Sequence, residues 1–182
     1  MPDSKTVAIV GTRSPDSTQE RRARFLANRL SHTYGCTITT GGAYGIDQAA
    51  MEGADADKLL VYLPWASYNQ KIIPVGAKTI VASTLHHPDW FASVQEYHPA
   101  PSKLTFGALA LHARNYGIIE HTDLVIAFPD ESGGGGTGQG IRIALGLNKP
   151  VMWFNKNKSD GFYIDEILAN ALGRLSLQSI AA

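Results

Sequence analysis

The sequence predicts a Rossmann-like α/β fold, a doubly wound and mostly parallel sheet with helices on both faces. Three observations predict it. Short apolar, β-branched runs alternate with runs of helical periodicity. The links between them are short, as strand–helix–strand crossovers require. Glycine-rich turns follow the first two predicted strands, and a third precedes a late helix.

The elements read in order. Residues 5–10 form a short buried strand, with Val7, Ile9 and Val10 apolar. Residues 11–16 break it. Ser17 and Glu20 have capping-box spacing and open a helix. Its apolar stripe is Ala23, Leu26, Ala27 and Leu30, at i, i+3, i+4 and i+7. Gly35 ends it, and residues 36–40 form a second, β-branched strand. Gly41, Gly42 and Gly45 turn the chain into a short helix over 46–53. Residues 58–63 are a third strand, stopped by Pro64. Residues 64–101 read as a less regular insertion at the strand-end side, with exposed Trp65 and Tyr68, a short strand over 79–82 and a short helix over 88–97. Regularity then returns, with a long helix over 103–120, a strand over 124–128, a loop over 133–136 and a helix over 137–147. A last strand covers 151–154, and 163–172 has amphipathic helical spacing.

Bulk properties bound the function. The 182 residues fit one domain with a proper core. Lys plus Arg and Asp plus Glu number 16 each, so the formal net charge is zero. A dedicated duplex-binding module carries a basic excess, so any nucleic-acid contact must come from a local patch. The single cysteine, Cys36, has no intramolecular disulfide partner, which points to a reducing, cytoplasmic setting. No apolar run approaches the ~20 residues that span a bilayer, and the N-terminus does not read as a signal peptide. No membrane association is expected.

The glycine loops carry the chemistry. The first is Gly11-Thr12-Arg13-Ser14, the second Gly41-Gly42-Ala43-Tyr44-Gly45-Ile46-Asp47, and the third Gly133-Gly134-Gly135-Gly136-Thr137-Gly138-Gln139. Glycine lets backbone approach an oxyanion and aim several N–H groups at it, and the following helix N-terminus adds positive dipole. Arg13 and Arg114 supply bidentate phosphate contacts in this reading. Gly11, Arg13, Gly42, Arg114, Gly135 and Thr137 are therefore expected to line one pocket. Neither a Walker pattern nor a clean G-x-G-x-x-G follows the first strand, which argues against a P-loop NTPase and an ordinary dinucleotide oxidoreductase.

Other residues have two readings. Asp47 either accepts from ribose hydroxyls or is a first-turn carboxylate stabilised by the helix dipole. His86, His87 and His98 lack carboxylate or cysteine partners at ligand spacing, so surface histidines are favoured over a metal site. Trp65 and Tyr68 are base-stacking candidates or packing anchors. Ser14 and Thr137 have no motif-level base partner, so no catalytic residue is assigned. No metal and no cofactor are expected.

The first two loops resemble the DNA-processing protein A family, which shows G-[ST]-R and S-G-[GA]-A-x-G-I-D at these strand ends. Arg114-Asn115 before an aliphatic strand is similar to that family's R-N element. The third loop resembles that of the cytokinin-activating phosphoribohydrolases of the LOG type, P-G-G-x-G-T-x-x-E. All belong to the SLOG superfamily, and the resemblance runs from Val7 to about Phe154, most weakly over 65–101. It implies a ligand-binding set of Gly11 to Ser14, Gly41 to Gly45, Asp47, Arg114, Asn115 and Gly134 to Thr137. It also implies a nucleotide, a nucleotide-derived small molecule or single-stranded DNA as partner, a role in DNA recombination or processing, and a homodimer. The overall layout is similar to relatives found in phages and mobile elements.

One departure bears on catalysis. The hydrolases place a glutamate three residues after the loop threonine, where this chain has Gly140, and the neighbouring Gln139 does not ionise. A binding protein is therefore expected; nucleoside-monophosphate hydrolysis and nucleotide sensing or sequestration are the alternatives.

Overall fold

The computed structural model describes residues 5–154, and the helix predicted over 163–172 lies outside them. Along the chain come β1 (Thr6–Gly11), α1 (Ser17–Asn28), β2 (Thr37–Thr40), α2 (Ile46–Gly53), β3 (Leu59–Leu63), β4 (Lys78–Val81) and α3 (Pro88–Tyr97). They are followed by α4 (Phe106–Glu120), β5 (Leu124–Phe128), α5 (Gly135–Gly146) and β6 (Val151–Trp153). The strands form one sheet in the order β4-β3-β2-β1-β5-β6. Every neighbouring pair is parallel, from Thr6 opposite Thr37 to Val125 opposite Val151. The doubly wound α/β architecture predicted from the sequence is therefore present.

Parallel strands are covered on both faces, so their residues are apolar in both directions. Val7, Ile9, Ile38, Val61, Leu63, Ile126 and Phe128 face one way, under α1 and α2. Ala8, Tyr62 and Val125 face the other, under α3, α4 and α5. Residues 64–101 contribute the edge strand β4 and helix α3, and α3 buries Trp90 and Val94 in this second cluster. Tyr68 departs from its expected exposure: it is half-buried against the first cluster, whereas Trp65 is 41% exposed.

Helix boundaries follow local hydrogen bonding. The capping box at α1 is one residue earlier than predicted. Asp16, not Ser17, accepts from the Thr18 and Gln19 amides at 2.9 and 2.8 Å, and Gln19 Oε1 accepts from the Asp16 amide at 3.1 Å. A carboxylate satisfies two orphan N–H groups here. Helix α4 starts at Phe106 behind a Thr105 cap, because Pro101–Lys103 forms a separate 3₁₀ turn. Helix α5 starts at Gly135 with Gly134 as its cap, so Gly135 and Gly136 belong to its first turn rather than to a loop.

The topology places a crevice. The chain steps outward from β1 to β4, then returns to β5 on the other side of β1. The connections leaving β1 and β5 therefore diverge, and a crevice opens at their carboxyl ends.

Close approach of α1 and α2 on the first face gives a test. A Cβ built on Gly53 would overlap the Arg24 carbonyl. Gly53→Ala is expected to lower stability by about 1–3 kcal/mol through overpacking, as measured by urea unfolding. Gly140→Ala is the control: no atom lies within 4 Å of its Cβ position, so it should be neutral or slightly stabilising.

Candidate functional site

The crevice floor is set by contacts between the first two glycine loops. The Thr12 amide donates to the Phe128 carbonyl at 2.9 Å, which ties the first loop to β5. The Ile46 amide donates to the Thr12 carbonyl at 3.1 Å, which ties it to α2. Gly45 has φ 84° and a Cβ there would lie 2.5 Å from the Thr12 carbonyl oxygen, so both conformation and space require glycine. Gly11 abuts Ile46, 2.6 Å from its built Cβ.

Below this floor sits a buried ion pair. Arg114, on α4, is 5% exposed. Its Nη1 donates to the Gly41 carbonyl and, at 3.4 Å, to the Tyr62 carbonyl; its Nε donates to the Leu111 carbonyl at 3.4 Å. Asp47 Oδ2 lies 3.8 Å from Nη1 and accepts from the Ala43 amide at 3.3 Å. The Tyr68 ring lies 5.9 Å from the guanidinium carbon, a cation–π contact. A Cβ on Gly41 would overlap the guanidinium, so glycine is what admits it. Burial raises the Asp47 carboxyl above its ordinary value, against the lowering effect of Arg114, Ala43 and Thr40. Burial also lowers Arg114, against Asp47, but a guanidinium stays charged in proteins.

This geometry revises one expectation and bears on another. Arg114 is expected to grip phosphate with a bidentate fork, yet its Nε and Nη1 are turned inward onto carbonyls and Asp47. Of the two readings of Asp47, the first-turn carboxylate is the one its contacts favour: it sits in the first turn of α2, near Arg114 and bonded to a backbone amide. Both border the cavity, but as supports of its floor.

The cavity has a volume of about 600 Å³. It brings together Gly11, Thr12, Arg13 and Ser14 after β1, Ala43 and Asp47 beside α2, Arg114 and Asn115 on α4, and Gly134 to Thr137 at the start of α5. Gly41, Gly42, Tyr44 and Gly45 do not line it. Gly42 instead backs onto Val61 and Leu63, each 3.0 Å from its built Cβ, and Tyr44 is 54% exposed. The pocket expected from the sequence thus forms without Gly42. The first N–H groups of a helix have no acceptor within it, so the start of α5 gives this wall of the cavity positive partial charge. At its mouth Asp130 accepts from the Ser132 hydroxyl at 2.6 Å, which holds its carboxyl below the ordinary value.

The opposite wall was missed in the sequence. It comprises His98, Pro99, Ala108, Leu111, His112 and, from α5, Gly140 and Arg142. The available signal was the i, i+3, i+4 spacing of Leu111 with Arg114 and Asn115 on one helix face. His98, read as a surface residue, packs edge-on to His112 with ring centroids 4.4 Å apart. Among the described residues no group of three or more His, Cys, Asp or Glu is arranged to hold a metal, and no helix is long and apolar enough to cross a membrane.

The family model for DNA recombination-mediator protein A matches residues 1–163. Among solved structures, DNA processing protein A from Helicobacter pylori, described for its single-stranded DNA binding mode, superposes with TM-score 0.61 at 27% identity, over 91% of this chain and 72% of that one. DNA processing protein A from Streptococcus pneumoniae superposes with TM-score 0.58 at 20% identity, over 96% of this chain and 56% of that one. The molybdenum cofactor binding protein of Rippkaea orientalis shares the fold, with TM-score 0.59 at 21% identity over 100% of both chains. No curated protein matches.

Removing one partner of the buried pair leaves a charge without compensation. Arg114→Met is expected to cost about 3–5 kcal/mol in urea unfolding, and the Asp47→Leu, Arg114→Met double variant to recover much of that loss. A loss below about 0.5 kcal/mol, the size of a surface substitution, would contradict the support role.

Proposed function

The chain belongs to the DNA recombination-mediator protein A family, and on that premise we propose that it binds single-stranded DNA with a backbone phosphate seated in the crevice at the ends of β1 and β5. One observation carries this reading. The loop after β1 and the first turn of α5 converge on one cavity, although more than a hundred residues separate them in sequence. Backbone donors and a helix dipole stabilise an anion there without any basic excess in the whole chain. Arg13 and Arg142 supply the local positive charge. The exposed rings of Tyr44 and Trp65, each in the loop that follows a strand of the same sheet, are surfaces on which bases stack. The binding mode described for the Helicobacter pylori relative supports the same ligand class.

The finer reading is that of a cytoplasmic homodimer, one Rossmann-like domain per chain, that also accepts a free nucleotide or nucleotide-derived molecule and serves DNA recombination or processing of a phage or mobile element. Binding is favoured over hydrolysis by the state of the carboxylates. Asp47 is held by Arg114 and Asp130 by Ser132, and Gly140 stands where the hydrolases it resembles place a glutamate. Cleavage of an N-glycosidic bond needs a positioned carboxylate.

Fluorescence anisotropy with labelled single strands and duplexes tests the proposal. Single strands are expected to bind more tightly, with an affinity that falls as salt rises, at a slope of about −0.7 per phosphate contacted. Arg13→Ala should weaken binding about tenfold, the effect of one charge-assisted contact. Tight duplex binding that survives physiological salt would refute it. Chromatography of AMP and CMP after incubation is expected to show no released base.

A further inference from the structure

A chain of hydrogen bonds fixes the protonation of one imidazole in the cavity wall. Asn115 Nδ2 donates to the Gly136 carbonyl at 3.4 Å, and a carbonyl only accepts, so the amide orientation of Asn115 is set. The same nitrogen donates to Gln139 at 2.9 Å, so the Gln139 atom facing it is oxygen. That oxygen also meets His112 Nδ1 at 2.6 Å, so Nδ1 carries the proton. Gln139 is fully buried, and its Nε2 has no hydrogen-bond partner among the described residues, so the amide is held this way despite an unsatisfied donor. Any further proton must go to Nε2 of His112, a residue that lines the cavity with the N-terminus of α5.

Resting on the phosphate site proposed above, we propose that His112, backed by His98, makes the crevice selective for a terminal phosphate, on a free nucleotide or at a strand end, and takes up a proton at Nε2 when that ligand binds. The argument is one of charge matching. Around His112 stand His98 after α3, Arg114 on its own helix, Arg13 after β1, Arg142 on α5, Asp130 after β5 and Asp47 on α2. Arg114 and Asp47 offset each other. Arg13 and Arg142 against Asp130 leave one positive charge. A phosphodiester carries one negative charge and is matched without a proton. A phosphomonoester carries about −1.5 to −2 near neutral pH, and the remainder is met by an imidazolium. Burial, reinforced by His98, Arg114 and Arg13, holds His112 below its ordinary value against the opposing Gln139 bond. The empty crevice therefore keeps it neutral, and a bound anion raises it. Affinity for the monoester should accordingly fall as pH rises through the value of the bound complex.

The experiment compares an unphosphorylated oligonucleotide, its 5′- and 3′-phosphorylated forms, and dAMP, by calorimetry at pH 7 in two buffers of different ionisation enthalpy. At least one end-phosphorylated oligonucleotide or dAMP is expected to bind about tenfold more tightly than the unphosphorylated strand, the effect of one further charge-assisted contact, with net proton uptake. Which of the three binds tells a strand end from a free nucleotide. His112→Gln should remove both the preference and the uptake. Should that variant fail to fold, the His112 Cε1–H resonance of the wild-type protein gives the same answer: dAMP or the preferred strand should raise its titration midpoint, and the unphosphorylated strand should not. Equal affinities for all four ligands, or uptake that persists in His112→Gln, overturns the proposal. Preference and uptake without any binding of the unphosphorylated strand uphold it and refute single-strand binding instead. Binding of none removes the phosphate site and the proposal with it.

Discussion

The buried contact of Arg114 with Asp47 and the Gly41 carbonyl is the constraint on which the crevice depends. Its members come from α4, α2, the end of β2 and, through the Tyr62 carbonyl, β3. Helix α4 covers one face of the sheet and α2 the other, so the guanidinium joins the two layers across the strand ends. Two ions removed from water gain only if their remaining donors and acceptors are met. Here the carbonyls of Gly41, Tyr62 and Leu111 meet Nε and Nη1, and the amide of Ala43 meets the carboxylate. The second glycine loop is thereby fixed, and through Gly45 and Ile46 it fixes the first.

The architecture was legible because apolar runs and their punctuation agree. Helices α2 and α3 and strand β5 have the bounds read from the sequence, since Gly45, Pro88 and Pro129 mark their limits and buried runs fill them. The cavity was legible as a meeting of loops, since parallel strands bring their carboxyl ends to one edge. What a side chain does there was not. Composition shows that Arg114 is a cation near a strand end. Whether its fork faces solvent or three carbonyls depends on the space left by Gly41, which only the packed structure reveals. Gly42 illustrates the same limit: its neighbours Gly41 and Ala43 face the floor, but it backs onto Val61 and Leu63. His112 escaped because nothing in the local sequence separates a pocket histidine from a solvated one until Gln139 and Asn115 are placed beside it.

Zero net charge and an anion site are compatible for a structural reason. In the proposed site, a phosphate would be stabilised mostly by groups that carry no formal charge, namely backbone amides at a helix start and at a tight turn. The formal charges nearest the cavity are partly cancelled in pairs, Arg114 by Asp47. The proposed selectivity would then rest on few groups, because a field of fixed lysines would mask the difference between one and two negative charges on a ligand.

The open face of Gly140 has an evolutionary consequence. It lies on the first turns of α5 at the cavity wall, with space beyond its Cα and a helical backbone that any residue adopts more readily than glycine. A Cβ added there meets no neighbouring atom outside its own helix, so the first step toward a side chain at this wall is free of overlap. Under the binding role proposed above, a scaffold for capture and one for breakdown would differ by a side chain rather than by a fold.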